Sequence, residues 1–155
     1  MKPLLVIGLG NPLMGDDGVG ARVAQLLADD PDVTRRADVL GGGTDLLRFQ
    51  DQIDGRRHVI LIDAVECADE PGKVSVLQES PHENRLESAH TLSAVQALEL
   101  MRRVLPSLER TRFTWVLVNV SAAHPGPDLS PPVAAAVQPA AELVVSAIRY
   151  PAPGR

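Results

Sequence analysis

The sequence predicts a single three-layer α/β/α domain with a mostly parallel, twisted sheet of about five strands. Short apolar runs alternate along the chain with segments of helical spacing, which is typical of strands joined by helical crossovers. The length of 155 residues, with 45% hydrophobic and 23% charged residues, is that of one compact globular domain. We therefore expect residues 1–150 to form the domain and residues 151–155 to form a flexible tail.

The first two elements follow from a short apolar run and from helical spacing. Residues 4–7 are apolar and are followed by Gly8, so they predict a buried strand. A helix is predicted over residues 17–29 because four apolar residues recur there on one helical face. These residues are Val19, Val23, Leu26 and Leu27.

The next three elements surround a run of glycines. Residues 37–40 predict a short strand that ends at this run, and Thr44 is expected to cap a helix that continues to about residue 52. Residues 58–62 are continuously apolar after the first position, which is typical of a strand covered on both faces. Residues 73–77 alternate more weakly and predict an edge strand.

The second half of the chain predicts two helices around one further strand. Residues 79–87 are polar and are expected to form a loop, with Ser88 as the N-cap of the helix that carries Ala94 and Leu98. Residues 113–120 predict the strand. The last helix begins at Ser130-Pro131-Pro132, because proline needs no N–H in a first turn, and the Pro139 inside this helix is expected to bend it.

Charge, aromatic content and cysteine usage exclude several classes of function. The net charge is -5 and aromatic residues make up 3% of the chain, so we expect no nucleic-acid partner. The single cysteine, Cys67, excludes an intramolecular disulfide framework and fits a reduced, cytoplasmic setting. No apolar run is long enough to predict a membrane span or a signal peptide.

The glycine-rich loop over residues 8–18 does not match the loops that bind nucleotides. A dinucleotide fingerprint needs a third glycine where Leu13 stands. A phosphate loop needs Lys and Ser or Thr where Asp16 and Asp17 stand, and two carboxylates would repel a phosphate. A nucleotide-binding domain is therefore the least favoured of the functions considered.

Two carboxylates and one imidazole are instead predicted to meet at one edge of the sheet. Asp17 lies at the start of the first helix, Asp63 at the end of the most apolar strand, and His90 in the first turn of the helix after residue 88. Binding sites of such sheets lie outside the carboxyl ends of the strands. These donors suit a divalent metal such as nickel, zinc or manganese. Alternatively, each aspartate only caps a helix or a loop.

The other three histidines are not predicted to take part in this site. His58 is expected at the surface, His82 in the polar loop and His124 in a flexible stretch before Pro125. No motif for a nucleophilic serine or for a zinc peptidase helix is present, so we expect water to be the attacking group in any hydrolysis.

With these residues in view, the chain resembles the hydrogenase maturation endopeptidases, which remove a C-terminal extension from the large subunit of nickel–iron hydrogenases. The resemblance covers residues 4–149 and is carried by four segments in matching order, and the late Leu129-Ser130-Pro131 with its helix also fits. The four segments are Gly8-Leu9-Gly10-Asn11-Pro12-Leu13-Met14-Gly15-Asp16-Asp17-Gly18-Val19-Gly20, Gly42-Gly43-Thr44, Ile62-Asp63-Ala64 and Ala89-His90-Thr91-Leu92.

The resemblance implies an endopeptidase in which Asp17, Asp63 and His90 bind the nickel already installed in the large-subunit precursor. It implies that the nickel is supplied by the substrate and that the chain holds no tightly bound cofactor of its own. We expect a cytoplasmic monomer without a membrane partner. The expected substrate-binding residues, all from the matching segments, are Gly10, Asn11, Gly42, Gly43 and Thr44.

Two segments depart from the family pattern. The family commonly has an aspartate where this chain has Gly41, and a Gly-(Ile/Val)-x-Pro-Glu segment where this chain has Asn119 and the residues that follow it. The change at Gly41 motivates an alternative function, a non-proteolytic adaptor or nickel chaperone in hydrogenase assembly.

Overall fold

The computed structural model describes residues 1–67, 69–78 and 89–151, and it contains one five-stranded sheet. The strands are β1 (Leu4–Gly8), β2 (Ala37–Gly41), β3 (His58–Glu66), β4 (Val74–Gln78) and β5 (Arg112–Val120). The α-helices are α1 (Val19–Ala28), α2 (Pro31–Arg36), α3 (Gln50–Ile53), α4 (Ala89–Val104) and α5 (Pro131–Arg149). Single 3-10 turns occupy Gly15–Gly18, Leu46–Phe49 and Pro106–Arg110.

The order of strands across the sheet is β2-β1-β3-β5-β4, and the first four run parallel. Strand β4 pairs antiparallel with β5 and forms one edge, as its weaker alternation predicts. The long apolar strands β3 and β5 lie in the interior of the sheet, where both faces are covered. The predicted α/β class with a mostly parallel sheet of five strands is therefore confirmed.

Helices cover both faces because the side chains of a strand alternate between them. On one face, Val6, Ile60 and Ile62 belong to the same apolar cluster as residues of α1 and α5. On the other face, Leu5 and Leu61 belong to the cluster that contains the buried residues of α4. The sheet with a helical layer on each side is the predicted three-layer arrangement.

The helix starts differ from the prediction at two places. The helix predicted from residue 17 begins at Val19, after the 3-10 turn that contains Asp17. The helix expected to be capped by Thr44 is capped by Asp45, whose carboxylate accepts a hydrogen bond from Leu47 N at 3.0 Å. A carboxylate one residue later reaches the free N–H groups of this turn, so the cap moves by one position.

Helix α2 was not predicted, although the sequence holds a signal for it. Asp30 accepts hydrogen bonds from Asp32 N and Val33 N, and Pro31 occupies the first position of the helix. An N-cap aspartate followed by proline is a common start for a helix. The helix has only six residues, too few to show an apolar period.

His58 is a clear correction, because it is buried and not at the surface. Its ring Nε2 lies 2.8 Å from Thr114 Oγ1, and Thr114 in turn donates to Gln78 Oε1. Because the hydroxyl proton of Thr114 points to Gln78, the hydroxyl accepts the proton of His58 Nε2. Burial, with a smaller contribution from the charge of Arg112, lowers the pKa of His58 to about 4.

The last helix begins at Ser130 as predicted, but Ser130 does not cap it with its side chain. The Ser130 hydroxyl instead donates to Asp16 Oδ2. Helix α5 continues through Pro139 to Arg149. The predicted N-cap Ser88, the loop at residues 79–87 and the tail beyond residue 151 lie outside the described residues.

By length and composition alone, α5 is the one helix in the described ranges that could cross a membrane. One of its faces is packed into the apolar cluster that it shares with α1, β3 and β5. The buried residues of that face are Val133, Ala136, Ala140, Ala141, Val144 and Ile148. This is the arrangement expected of a helix that covers a sheet.

Candidate active site

The carboxyl edge of the parallel strands brings together the starts of two helices from opposite faces of the sheet. Strand β1 leads into the glycine loop and then into α1. Helix α4 ends shortly before Arg112, which pairs with His58 at the amino end of the sheet. Helix α4 therefore starts at the carboxyl edge, which places the backbone of His90 at the same edge as Asp17 and Asp63.

Asp63 lies where β3 extends beyond the end of its neighbour β1. It was predicted to end its strand, but β3 continues to Glu66 and stays paired with β5. The other neighbour, β1, ends at Gly8 opposite Ile62, and Leu9 N donates to Ile62 O at 2.8 Å. Asp63 is thus the first residue of β3 that has no partner on the β1 side. The glycine loop passes over this gap.

The Asp63 carboxyl group is buried, with 2% of the residue exposed. Burial raises the pKa of Asp63 to about 7, the hydrogen bond from Ala64 N at 2.8 Å opposes that rise, and the negative charge of Asp17 adds to it. A carboxyl group that titrates near neutrality inside a site can be held as a neutral acid or as an anion.

Asp17 faces this site from the 3-10 turn, and the loop is shaped around it. Asp17 is 7% exposed, and its Oδ2 accepts a hydrogen bond from Asn11 N at 2.8 Å. Gly10 has a φ of 116°, and a Cβ at this position would lie 1.9 Å from Asp17 O. Only glycine allows the loop to approach the backbone of Asp17 this closely.

The neighbouring Asp16 has a different environment. Both of its oxygens accept hydrogen bonds from Ser130, one from the backbone N at 2.6 Å and one from the hydroxyl at 2.7 Å. Asp16 therefore ties the glycine loop to the start of α5. Sequence reasoning could not separate Asp16 from Asp17, whereas their hydrogen bonds distinguish a structural carboxylate from one that faces Asp63.

For the predicted metal site, the structure describes the backbone of all three residues but the side chains of only two of them. Asp17 and Asp63 interact electrostatically, and His90 lies in the first turn of α4. The His90 side chain is outside the described part of the chain. Among the residues that are described, no group of three or more His, Cys, Asp or Glu residues is placed to hold a metal ion. The joint binding of a metal by Asp17, Asp63 and His90 stays a prediction.

The residues predicted to bind substrate form two loops that are joined by hydrogen bonds. Gly10 N donates to Gly43 O at 2.9 Å, and Gly42 N donates to Gly8 O at 3.0 Å. Asn11 Oδ1 accepts from Leu13 N, which leaves its amide nitrogen for other partners. Thr44 is half-buried beside these glycines. The two loops together form one rim of the carboxyl edge, but contact with a substrate stays a prediction.

His124 is a neighbour of the glycine loop that the sequence did not indicate. A Cβ on Gly15 would lie 2.2 Å from the His124 ring, so the imidazole packs directly on Gly15. The stretch predicted to be flexible is held by backbone hydrogen bonds from Gly15 N to Gly126 O and from Gly126 N to Leu13 O. The imidazole of His124 thus borders the loop that carries Asp17.

A cleft of about 360 Å³ opens between α1 and β2 next to the glycine loop. Neither Asp17 nor Asp63 lines it, so the cleft borders the carboxylate pair without including it. Gly41 and Gly42 form part of one wall, and Gly15, Gly18 and Pro127 lie at the side of the glycine loop. A chain that enters this cleft would pass beside the predicted site.

Comparisons with known proteins show which family the chain resembles over most of its length. The sequence model of a family described as hydrogenase maturation protease matches residues 21–147. The hydrogenase 2 maturation protease of Escherichia coli K12 is 28% identical over 151 residues, covering 94% of this chain and 90% of that protein. Protein FrxA of Pyrococcus furiosus is 32% identical over 140 residues, covering 88% of this chain and 98% of that protein.

Solved structures show the same likeness. The hydrogenase maturating endopeptidase HybD of Escherichia coli has a TM-score of 0.78 at 29% identity, covering 98% of this chain and 94% of that one. The [NiFe] hydrogenase maturation protease HybD of Thermococcus kodakarensis has a TM-score of 0.78 at 27% identity, covering 94% of this chain and 98% of that one. The likeness in sequence and in fold thus extends over almost the full length of the chain.

Proposed function

Because this chain belongs to the hydrogenase maturation protease family and is therefore an endopeptidase, we propose that it cuts the C-terminal extension from the nickel-loaded large-subunit precursor of a nickel–iron hydrogenase. In this proposal Asp17, Asp63 and His90 recognise the nickel that the precursor carries. The observation that supports it is the pair of buried, electrostatically coupled carboxylates of Asp17 and Asp63 at the edge where α4 begins.

The donors have the chemistry that such recognition needs. Carboxylate and imidazole groups are suitable ligands for nickel. A ligand must be deprotonated to bind a cation, so binding displaces the proton of Asp63, whose pKa is about 7. Recognition of the nickel-loaded precursor should therefore strengthen as the pH rises through about 7. The nickel is part of the substrate, and the chain needs no tightly bound cofactor of its own.

The reaction is the hydrolysis of one peptide bond. The oxygen of a water molecule bonds to the scissile carbonyl carbon, the C–N bond breaks, and the released amine takes a proton from that water. Nickel held between the two proteins orients the bond, and a nearby divalent cation can polarise a carbonyl or a water. Requiring the metal for this alignment makes the enzyme act only on a loaded precursor. We place this reaction in the cytoplasm and assign it to a monomer.

The test uses purified components. The chain is incubated with nickel-loaded precursor and with nickel-free precursor, and the products are measured by mass spectrometry. We expect a shortened large subunit and a released C-terminal peptide from the loaded precursor alone. Stable co-elution without cleavage would instead support the adaptor or chaperone that Gly41 motivates. Cleavage of both precursors at equal rates would contradict recognition through nickel.

A further inference from the structure

Among the residues that the structure describes, one charged side chain lines the cleft between α1 and β2. The side chains around it are small or apolar, apart from Gln25 and Arg22. Its volume of about 360 Å³ lies in the range of ligand sites. Because all other lining residues are uncharged, Arg22 alone sets the electrostatic preference of the cleft, and it favours an anionic group.

Arg22 is available for such a partner. It is exposed on α1, and within the described part of the chain it takes part in no ion pair or hydrogen bond. By contrast, Arg35 and Arg56 are paired with Asp32 and Asp38. A guanidinium group presents several donors in a fixed plane and binds a carboxylate through two of them.

The opposite wall of the cleft is an edge strand. Strand β2 is the outermost strand beside β1, and Val39, Leu40 and Gly41 from it line the cleft. An edge strand presents backbone N–H and C=O groups that have no strand partner. Extended peptides bind such edges through main-chain hydrogen bonds, with side-chain pockets providing the selectivity.

Gly41 keeps this cleft free of a negative charge. A Cβ at position 41 would lie 3.3 Å from the Cβ of Ala24 and 3.8 Å from Ala21 O. An acidic side chain there would therefore start against α1, the helix that carries Arg22. With glycine at position 41, none of the described lining residues offers a carboxylate that competes for the guanidinium.

We propose that this cleft binds the C-terminal extension of the precursor as an added strand along β2, and that Arg22 selects an Asp or Glu side chain in it. This inference rests on the proposed function for the identity of the peptide. It makes Arg22 a specificity-determining residue for the endopeptidase, separate from Asp17, Asp63 and His90.

The experiment measures peptide binding directly. A library of fluorescent, acetylated and amidated hexapeptides, each with one Glu, is compared by anisotropy with the same peptides carrying Gln. We expect the preferred Glu peptide to bind about two- to fivefold more tightly than its Gln partner, the range of an exposed ion pair. Arg22→Gln should abolish this preference and leave binding of the Gln peptide unchanged.

Two further variants complete the design. Arg36→Gln removes an exposed arginine of α2 that does not line the cleft, so it should retain the preference. Gly41→Asp should lose most of the preference for Glu peptides, because the new carboxylate neutralises Arg22. A wild-type chain without preference for Glu, or an Arg22→Gln variant that keeps it, would overturn the inference. So would peptides that bind only with a free C-terminal carboxylate.

Binding and cleavage are then compared to separate the two proposals. In the processing assay, Arg22→Gln should raise KM for the loaded precursor and leave kcat unchanged. If the precursor is cut but the peptide preference is absent, this inference fails while the proposed function stands. If the Glu preference depends on Arg22 but no precursor is cut, the proposed function fails and the cleft remains an acidic-peptide site.

Discussion

At the level of single residues, the neighbouring aspartates of the glycine loop differ in their hydrogen bonds. Asp16 has both carboxylate oxygens bound by Ser130, so it holds the loop against α5. Asp17 accepts one hydrogen bond from Asn11 and interacts with the charge of Asp63. A carboxylate with one unused oxygen facing another carboxyl group is the one suited to bind a cation.

Paired variants test this difference. Asp17→Asn removes the charge that we assign to nickel recognition, and we expect it to abolish processing of the loaded precursor while the protein stays folded. Asp16→Asn should keep processing and lower the stability by about 1 kcal/mol, since one acceptor for Ser130 is weakened. Processing is measured by mass spectrometry and stability by urea unfolding. Loss of processing in Asp16→Asn with normal activity in Asp17→Asn would reverse the assignment.

Asp63 should show a conflict between function and stability. Above pH 7 the native state must bury the Asp63 carboxylate, whereas the unfolded chain exposes it to water. Asp63→Asn keeps an acceptor for Ala64 N and removes this cost, so it should increase the free energy of unfolding at pH 8 by roughly 4 kcal/mol. The same variant should not process the precursor. A less stable Asp63→Asn at pH 8 would argue against a raised pKa.

At the scale of elements, the glycine loop and the loop after β2 depend on two kinds of glycine. Gly10 and Gly43 both have positive φ angles, and they are joined by a backbone hydrogen bond. Around Gly43 there is open space, whereas Gly10 lies against the backbone of Asp17. The loops therefore tolerate a side chain at one position and not at the other.

Alanine at these two positions separates backbone strain from steric contact. Gly43→Ala should lower the free energy of unfolding by about 1 kcal/mol, which is the strain of a left-handed alanine. Gly10→Ala should lower the free energy of unfolding by at least about 2–3 kcal/mol more than Gly43→Ala does, because the new Cβ would force Asp17 and the loop apart. Thermal unfolding of both variants measures the difference. Equal costs would mean that the loop relaxes freely around residue 10.

Across the whole molecule, the two ends of the sheet carry buried titratable groups whose pKa values are shifted in opposite directions. Asp63 at the carboxyl edge has a pKa raised to about 7, and His58 near the amino edge has a pKa lowered to about 4. At the amino end, Arg56 also binds Asp38, which lowers the pKa of Asp38. The predicted binding residues lie at one end of the sheet, while Arg56 and Asp38 at the other end pair with each other.

These two groups should oppose each other in the pH dependence of stability. Between pH 4 and about 6.5 the unfolded chain protonates His58 and the native state does not, so His58 makes stability rise with pH. In the same interval the native state protonates Asp63 and the unfolded chain does not, so Asp63 makes stability fall with pH.

Single variants should show the separate contributions of His58 and Asp63 to the pH dependence of stability. His58→Gln should become less stable as the pH rises from 4.5 to 6.5, and Asp63→Asn should become more stable, with the wild type between them. Urea unfolding at each pH gives the slopes. Parallel curves for the three proteins would contradict opposite shifts of these two pKa values.

Local patterns in the sequence determined the architecture and the order of its elements. Apolar runs marked the strands, helical spacing marked α1, α4 and α5, and Ser130 before two prolines marked the start of the last helix. These signals are short-range, because each arises from the period of a strand or a helix and from the chemistry of its ends. The family resemblance came from motifs in the glycine loop, after β2, inside β3 and at the start of α4.

Only the tertiary structure decided which groups are buried and which carboxylate faces which. It placed His58 in the interior, tied Asp16 to Ser130, packed His124 on Gly15 and left Arg22 as the single charge in the cleft. Burial and pairing depend on residues far apart in the chain, which no local period encodes. The pKa values of Asp63 and His58 follow from that burial, and for this reason they could not be read from the sequence.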